Sequence, residues 1–296
     1  FQTLLKNIRT KHYFNKDIID ITRLQNGWKE SWLLTLSDGQ NIVFRTCEDY
    51  TEFFEREKIF YNTSNNSVGK ECPEVYVVDS SLEYYDKSFQ ISEFINGDSL
   101  RTVLQSADTN YKTRLYYELG RTIAKINRIE VDPHDNELFN SEPWLTYYIN
   151  KLMKPQLLRI VGNKLITIEQ IERLCKNISK QQPILTQCLL HRDIRPDNII
   201  CRDDKMFVID AETCELGDPL NELARINLQW HYWQNYDSLL KGYKSIFDID
   251  TECELFYCYQ LEQLAEILDM HFNHGCQNST TPFFENKFKQ IIDMLL

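Results

Sequence analysis

The chain has 296 residues, of which 42% are hydrophobic and 26% are charged. This composition is that of an ordinary globular protein, long enough to bury a core in one large domain or in two closely packed ones. Lys and Arg number 33 against 44 Asp and Glu, and the resulting net charge of −11 argues against a non-specific nucleic-acid binder, which needs a basic surface.

The N-terminal third of the chain predicts an antiparallel sheet with one helix. Apolar residues alternate or cluster in short runs, and the Asp38-Gly39 pair between two such runs is typical of a hairpin. The expected strands are Ile19–Thr22, Trp32–Leu36, Ile42–Phe44, Glu74–Asp79 and Phe89–Phe94, and the expected helix is Tyr50–Tyr61.

After the break at Asn96-Gly97-Asp98 the pattern becomes mainly helical, with one strand–loop–strand segment over Leu189–Asp210. The expected helices are Leu115–Ile126, Leu165–Ile178, Leu220–Leu240 and Cys253–Met270. The sequence therefore predicts an α+β protein with a smaller antiparallel β lobe over residues 1–96 and a larger, mainly helical lobe over residues 97–296.

Short apolar runs also bear on where the protein works. Val75–Val78 is far below the roughly 20 apolar residues of a membrane span, and residues 1–11 show no secretory signal. The nine cysteines form no C-x-x-C pair, and their odd number does not indicate a disulfide framework. We therefore expect a cytoplasmic protein that binds neither a membrane nor nucleic acid.

The segment His191–Ile200 holds the residues most typical of a chemical function. Asp193 and Asn198 lie five residues apart in one loop, and Asp210 ends the next apolar run. Phosphoryl transfer from a nucleotide needs such groups: a carboxylate that orients the attacking hydroxyl, and an amide and a carboxylate that bind Mg²⁺. Each residue alone would more often cap a turn, but the string fits the kinase pattern H-R-D-x-x-x-x-N throughout.

On these residues the chain resembles the protein-kinase-like superfamily, and within it the aminoglycoside phosphotransferase and choline kinase family. Downstream it has Ile209-Asp210-Ala211-Glu212 and then Gly217-Asp218-Pro219, similar to the family's I-D-x-E and G-D-P-x-x-D-L-A, with Glu222 where Asp is usual. A protein kinase would have Asp-Phe-Gly and a long activation loop here. The resemblance implies a bilobal protein-kinase-like fold, with Asp193 as catalytic carboxylate and Asn198 and Asp210 as metal ligands.

The resemblance also implies that the β lobe binds the nucleotide. Gly27 and Ser31 lie where a phosphate-covering hairpin belongs, although a single glycine fits an ordinary hairpin equally well. Arg45 takes the place of the lysine of V-A-I-K, and its permanent charge and planar fork suit phosphate oxygens.

A helical Glu is implied as the partner of Arg45. The segment 55–61 resembles the family's R-E-x-x-x-L helix, with Tyr61 in place of Leu, and this favours Glu57. Glu52 and Glu55 stay open as alternatives because helical phase is uncertain from sequence. The backbone that would read the purine of ATP or GTP belongs to four residues: Ser92, Glu93, Phe94 and Ile95.

The acceptor is less constrained, since one fold and chemistry serve many substrates. The net charge of −11 favours a cationic acceptor such as an aminoglycoside. Glu262 and Glu266 share one helix face that would bind ammonium groups, although such a stripe is usually solvated. Trp230 belongs to an aromatic group that would cage choline or simply pack in the core. Glu212 is a further candidate substrate contact.

These observations predict a Mg²⁺-dependent small-molecule kinase that moves the γ-phosphoryl group of ATP or GTP to a hydroxyl of an aminoglycoside-like acceptor, of the antibiotic-resistance type. Asp193 would orient the hydroxyl, and Arg195, two residues further on, would steady the transferred group. The alternatives are a kinase for choline or another small metabolite and a nucleotide-binding pseudo-enzyme. Intact Asp193, Asn198 and Asp210 argue against the last.

Overall fold

A computed structural model describes residues 16–24, 29–47, 51–82, 87–203, 205–229 and 235–296. The strands are β1 (Ile18–Arg23), β2 (Glu30–Leu36), β3 (Asn41–Cys47), β4 (Val75–Asp79), β5 (Ser88–Glu93), β6 (Asp98–Ser99), β7 (Cys188–Leu190), β8 (Ile199–Arg202), β9 (Lys205–Val208) and β10 (Glu215–Gly217). The α-helices are α1 (Thr51–Val68), α2 (Leu100–Ser106), α3 (Thr109–Asn127), α4 (Trp144–Tyr147), α5 (Lys154–Arg159), α6 (Ile168–Ile178), α7 (Pro219–Leu228), α8 (Tyr236–Lys244), α9 (Glu254–Asn273) and α10 (Thr281–Leu295).

The chain divides into two compact units. The first contains the residues up to Asp108 together with Pro196–Cys214, and the second contains Thr109–Arg195 together with Glu215–Leu296. The predicted lobe boundary after residue 96 follows the change from strand-rich to helix-rich sequence, and it stays a prediction. The division into units differs from this boundary in one respect: the hairpin β8–β9 belongs to the first unit, together with the N-terminal residues.

The first unit is built on a five-stranded antiparallel sheet of order β1-β2-β3-β5-β4. The expected hairpin joins β2 to β3, and Gly39 adopts the positive φ of 84° that such a turn requires. Alternate residues of β2 and β3 are buried, as the period of a strand dictates, together with Phe89 and Ile91 of β5. They form one apolar cluster: Trp32, Leu34, Leu36, Ile42, Phe44, Phe89 and Ile91.

Within the second unit, α3 packs against α8 at very short range. A Cβ added at Gly120 would overlap the carbonyl oxygen of Leu239, and one added at Gly242 would overlap that of Tyr117. Asn127 at the end of α3 donates a 3.0 Å hydrogen bond to the carbonyl of Leu189, which fixes strand β7. β7 in turn pairs with β10, so the segment before His191 is held on two sides.

Two sequence expectations differ from the structure. The single helix expected over Leu220–Leu240 is two helices, α7 and α8, because the Asn235 side chain accepts the N–H of Ser238 and starts a new helix there. The strands expected on either side of the 191–198 loop belong to different sheets, since β7 pairs with β10 whereas β8 pairs with β6 and β9. Sequence periodicity does not report strand partners.

The predicted fold class is confirmed: an antiparallel sheet in the N-terminal part is followed by a mainly helical part. In the part of the chain that the structure describes, no helix is long and apolar enough to cross a membrane.

Candidate active site

Arg45 lies at the centre of a charged cluster in the first unit. Strand alternation places its neighbour Phe44 in the apolar cluster and Arg45 on the opposite face of β3. Its guanidinium group forms an ion pair with Glu57 on α1, which is fully buried, and donates to Gln90 on β5. Nη1 of Arg45 also lies 3.4 Å from Oδ1 of Asp210. One side chain thus joins the helix, the sheet and a predicted metal ligand.

Of the three glutamates considered as partners of Arg45, Glu57 makes the contact. Glu52 is exposed, and Glu55 forms a 3.8 Å ion pair with Lys58 on the surface of the same helix. Helical phase decides this choice, because Glu57 shares the inner face of α1 with the buried residues Phe54 and Tyr61.

Tyr61 takes part in this cluster through its phenol group. The hydroxyl donates a 2.6 Å hydrogen bond to Oε1 of Glu57 and accepts the backbone N–H of Asp210 at 2.8 Å. Burial raises the pKa of Tyr61, so the phenol stays protonated. The tyrosine that replaces the family's leucine therefore links the ion pair to the predicted metal ligand.

Lys29 is a site residue that sequence reasoning missed. Its Nζ lies 3.0 Å from Oδ1 of Asp210 and forms an ion pair with Glu212. Burial, followed by the nearby charge of Arg45, lowers the pKa of Lys29 to about 8. A basic residue within the candidate phosphate-covering hairpin, between Gly27 and Ser31, was the signal in the sequence. Gly27 of that hairpin lies outside the described residues.

Ser31 occupies the position on β2 that pairs with Arg45 on β3. Its hydroxyl lies 3.5 Å from the carbonyl oxygen of Lys29. The structure therefore brings the hairpin strand, both cations and Asp210 together within the first unit.

The two predicted metal ligands also share this unit. Asn198 is buried, and its carbonyl accepts the N–H of Ile209 at 2.9 Å, one residue before Asp210. Asp210 itself adopts a left-handed backbone with φ of 65°, a conformation that costs a non-glycine residue about 1–3 kcal/mol. Such strain is typical of residues held for a function.

The donor chemistry of these residues fits Mg²⁺, which prefers carboxylate and amide oxygens. Asp210 and Glu212 already share the ammonium group of Lys29, so the pair attracts a cation. No group of three or more His, Cys, Asp or Glu side chains that would hold a metal occurs in the described ranges.

The four residues expected to read the purine lie at and after the end of β5. Ser92 and Ile95 are buried, whereas Glu93 and Phe94 are half-buried. The N–H of Glu93 donates to the carbonyl of Glu74 at 2.8 Å, and its carboxylate pairs with Lys70 at 2.8 Å. Glu93 is therefore held by β4 and by Lys70, which fixes the start of this segment.

Asp193 and Arg195 belong to the second unit. The carboxylate of Asp193 lies 3.3 Å from Nε of Arg195, and both side chains are partly exposed, at 32% and 42%. The backbone N–H of Asp193 donates to Nδ1 of His191 at 3.2 Å. Asp193 thus presents its carboxylate at the surface of the unit while its main chain is fixed.

Glu222, which replaces the family's Asp, anchors the main chain just before Asp193 through its carboxylate. Its carboxylate accepts the N–H of His191 at 2.6 Å and that of Arg192 at 3.0 Å. Arg192 has a left-handed backbone with φ of 66°. The longer side chain of Glu therefore serves as a structural anchor at this position.

Glu262 and Glu266 on α9 differ in their surroundings. Glu262 is 3% exposed and pairs with Arg192 at 2.5 Å and Arg225 at 3.2 Å. Burial alone would raise the pKa of Glu262, yet the two guanidinium groups bring it below its usual value. Glu266 is partly exposed and lies 3.4 Å from Arg225. Trp230 lies outside the described residues.

Comparison with known proteins adds to this geometry. The model of the phosphotransferase enzyme family matches residues 20–244. No curated protein matches the chain.

Among solved structures, the chain is similar to a protein from Ralstonia eutropha provisionally assigned as an aminoglycoside phosphotransferase, with 15% identity, a TM-score of 0.68, and 100% of this chain and 97% of that one covered. It is also similar to a thermostable mutant of aminoglycoside phosphotransferase APH(4)-Ia in a ternary complex with AMP-PNP and hygromycin B, with 13% identity, a TM-score of 0.70, and 99% and 98% coverage. A third is a provisionally assigned fructosamine-3-kinase from Thermobifida fusca, with 14% identity, a TM-score of 0.65, and 98% and 96% coverage.

At these identities the solved structures establish the fold, and the family match covers most of the chain. The chain therefore belongs to the phosphotransferase enzyme family: it has the protein-kinase-like fold of the aminoglycoside phosphotransferases and is a small-molecule kinase with an alcohol group as acceptor.

Proposed function

We propose that this kinase transfers the γ-phosphoryl group of ATP to a hydroxyl of a small, cationic, aminoglycoside-like acceptor in the presence of Mg²⁺. The observation that carries the proposal is the position of Arg45, which contacts Glu57 and Asp210 at once. A guanidinium fork fixed by a buried carboxylate beside an oxygen ligand is the arrangement that binds nucleotide phosphates and their metal.

Within the first unit, Arg45 and Lys29 would contact the phosphates, and Asn198 and Asp210 would bind Mg²⁺. When bound, the metal neutralises the negative charge of the phosphate oxygens. Ser31 and the backbone at Gly27 would cover the phosphates, and the backbone of residues 92–95 would bind the purine.

Within the second unit, Asp193 would accept a hydrogen bond from the attacking hydroxyl and orient it. It would take the proton as the hydroxyl oxygen bonds to the γ-phosphorus and the bond to the β–γ bridging oxygen breaks, which releases the nucleoside diphosphate. Arg195 would steady the transferred group. The anchoring of the loop by Glu222 supports this role, because a catalytic carboxylate must be held in place before substrate binds.

The cationic acceptor rests on two observations. The net charge of −11 favours the approach of positively charged molecules. Structures of this fold include complexes of aminoglycoside phosphotransferase APH(4)-Ia with hygromycin B and of spectinomycin phosphotransferase with spectinomycin. Glu266 is partly exposed and is the acidic residue of α9 that we assign to the acceptor, with Glu212 and Trp230 as further contacts.

A kinase for another small metabolite is the second candidate, because the fold is shared almost equally with a protein provisionally assigned as fructosamine-3-kinase. Choline falls in this class. In either case the protein would act in the cytoplasm, and a resistance role would follow only from an antibiotic acceptor.

The test is turnover with Mg²⁺ and either ATP or GTP against a panel of aminoglycosides, choline, amino sugars and sugar alcohols. Mass spectrometry detects a product heavier by one phosphoryl group. We expect phosphorylation of a subset of aminoglycosides that is lost in Asp193→Asn. Phosphorylation of choline or an amino sugar alone would show that the acceptor is a small metabolite and not an antibiotic. Nucleotide binding without any product would favour a pseudo-enzyme.

Drug susceptibility of a bacterium that expresses the wild type or Asp193→Asn tests the resistance role.

A further inference from the structure

Arg192, the residue before Asp193, is held at three points within the second unit. Its backbone N–H donates to the Glu222 carboxylate at 3.0 Å. Its carbonyl oxygen accepts a hydrogen bond from Nε of Arg225 at 3.0 Å. Its guanidinium group donates to Oε1 of Glu262 at 2.5 Å. Main chain and side chain are therefore both fixed immediately before the candidate catalytic carboxylate.

Glu262 and Arg225 complete this arrangement from two helices. Arg225 on α7 contacts both the carbonyl of Arg192 and, at 3.2 Å, the same oxygen of Glu262 that Arg192 contacts. Glu262 and Arg192 are both buried, at 3% and 8% exposure. Removing the charge of Glu262 would leave the buried guanidinium group of Arg192 without its carboxylate partner, which strongly disfavours the arrangement.

The backbone of Arg192 makes this support necessary. With φ of 66° it lies in the left-handed region, where a non-glycine residue persists only if its surroundings hold it. Relaxation of this residue would rotate the following peptide and move Asp193. A displacement of about 1 Å at a reacting group is enough to lower a rate about 100-fold.

We propose that Glu262 and Arg225 are positioning residues that act through Arg192 to hold the loop of Asp193 in its working conformation. This inference rests on the proposed function of Asp193. It gives Glu262 a role in the loop in place of the acceptor contact expected from its position on the helix face.

The main variant is Glu262→Gln, which keeps the shape of the side chain and removes its charge. The matched control is Glu254→Gln, the same change on the first turn of α9, where the exposed carboxylate contacts Gln181 at 2.9 Å. We expect kcat of Glu262→Gln to fall roughly 10- to 100-fold with KM for the nucleotide within about twofold of the wild type. The control should keep both values.

Hydrogen exchange measured by mass spectrometry on peptides that cover residues 188–195 gives a readout that does not need activity. We expect faster exchange in Glu262→Gln than in the wild type and the control. Arg225→Gln serves as a second variant if Glu262→Gln does not fold, since it leaves the pair Arg192–Glu262 in place and breaks the contact with the carbonyl.

A double-variant cycle tests the route through Arg192. Arg192→Gly removes the guanidinium group and tolerates the left-handed backbone. In that background Glu262→Gln should change kcat by less than about twofold, because the two residues act as one unit. If Glu262→Gln lowers kcat in the Arg192→Gly background by as much as in the wild type, Glu262 acts elsewhere and the proposal is overturned.

Unchanged loop exchange in Glu262→Gln, or faster exchange with unchanged kcat, would also overturn it. If the wild type phosphorylates nothing, the proposed function fails on its own, and the exchange data alone decide whether Glu262 holds the loop.

Discussion

The backbone N–H of Asp210 donates a 2.8 Å hydrogen bond to the phenol oxygen of Tyr61. The same hydroxyl donates to Glu57, so one buried phenol connects a predicted metal ligand to the ion pair of Arg45. The position of the Asp210 main chain therefore depends on a side chain of α1.

Tyr61→Phe removes both hydrogen bonds and leaves the Asp210 N–H and a Glu57 oxygen without this partner. We expect the free energy of unfolding to fall by about 1–3 kcal/mol and turnover to fall with it. Urea unfolding and kcat check this. Tyr76→Phe in β4, where the half-buried phenol contacts Gln40, is the control and should cost less. A Tyr61→Phe protein with wild-type stability would contradict the expectation.

Asp193→Asn should abolish most turnover and leave nucleotide binding intact, because the amide cannot take the proton of the acceptor. A loss of about 10²- to 10⁴-fold in kcat is expected for a general base. Calorimetry with the nucleotide and a turnover assay separate the two effects. Asp197→Asn, four residues on and paired with Arg101 at 2.5 Å, is the control. Normal turnover in Asp193→Asn would reject the assignment.

Arg45→Met leaves the carboxylate of Glu57 buried without its guanidinium partner. We expect a loss of about 3–5 kcal/mol in stability and weaker nucleotide binding. The double variant Arg45→Met/Glu57→Met should regain stability, since no charge is then left unpaired, but it should not regain nucleotide affinity. Denaturant unfolding measures the stability of each variant, and nucleotide titration measures its nucleotide affinity. A double variant as unstable as the single one would show that the pair itself does not govern stability.

Gly120→Ala should destabilise the protein, because the added methyl group would overlap the carbonyl of Leu239 and push α8 away from α3. Overpacking of this kind costs about 1–3 kcal/mol. Gly162→Ala is a matched control, since its added Cβ meets no atom within 4 Å. Thermal unfolding of the two variants should differ clearly, and equal melting temperatures would contradict the close packing.

Asp218 should make the folded protein more stable as pH falls, which is the opposite of the usual effect of a carboxylate. Burial raises the pKa of Asp218 to about 6, although its carboxylate accepts the N–H of Leu220 and the hydroxyl of Tyr259. Since the folded state then binds the proton more tightly than the unfolded state, this group stabilises the fold as pH falls from about 7 to about 4, by roughly 2 kcal/mol.

Asp218→Asn removes this titration while keeping an oxygen that caps α7. The difference in unfolding free energy between wild type and Asp218→Asn should therefore grow in favour of the wild type as pH falls. Urea unfolding of both proteins at pH 7, 5.5 and 4 measures it. A difference that is constant with pH would show that Asp218 titrates normally.

Local sequence determined much of the fold and of the chemistry. The hairpin at Asp38-Gly39, the strands beside it and the helix that carries Glu57 follow from short-range periodicity and turn chemistry, which act between near neighbours. The spacing of Asp193, Asn198 and Asp210 predicted the family, because residues of one loop and the next strand lie close together along the chain and form a motif that sequence alone displays.

Tertiary structure decided which of these residues meet. Sequence assigned Glu262 to an acceptor-binding face, whereas packing of α7 and α9 buries it between Arg192 and Arg225. Lys29 and Tyr61 contact Asp210 from residues 181 and 149 positions away along the chain. The loop that carries Asp193 and Asn198 is divided between two compact units, which no local pattern reveals. Periodicity reports which face of an element is apolar, but burial and ion pairing depend on which element that face packs against.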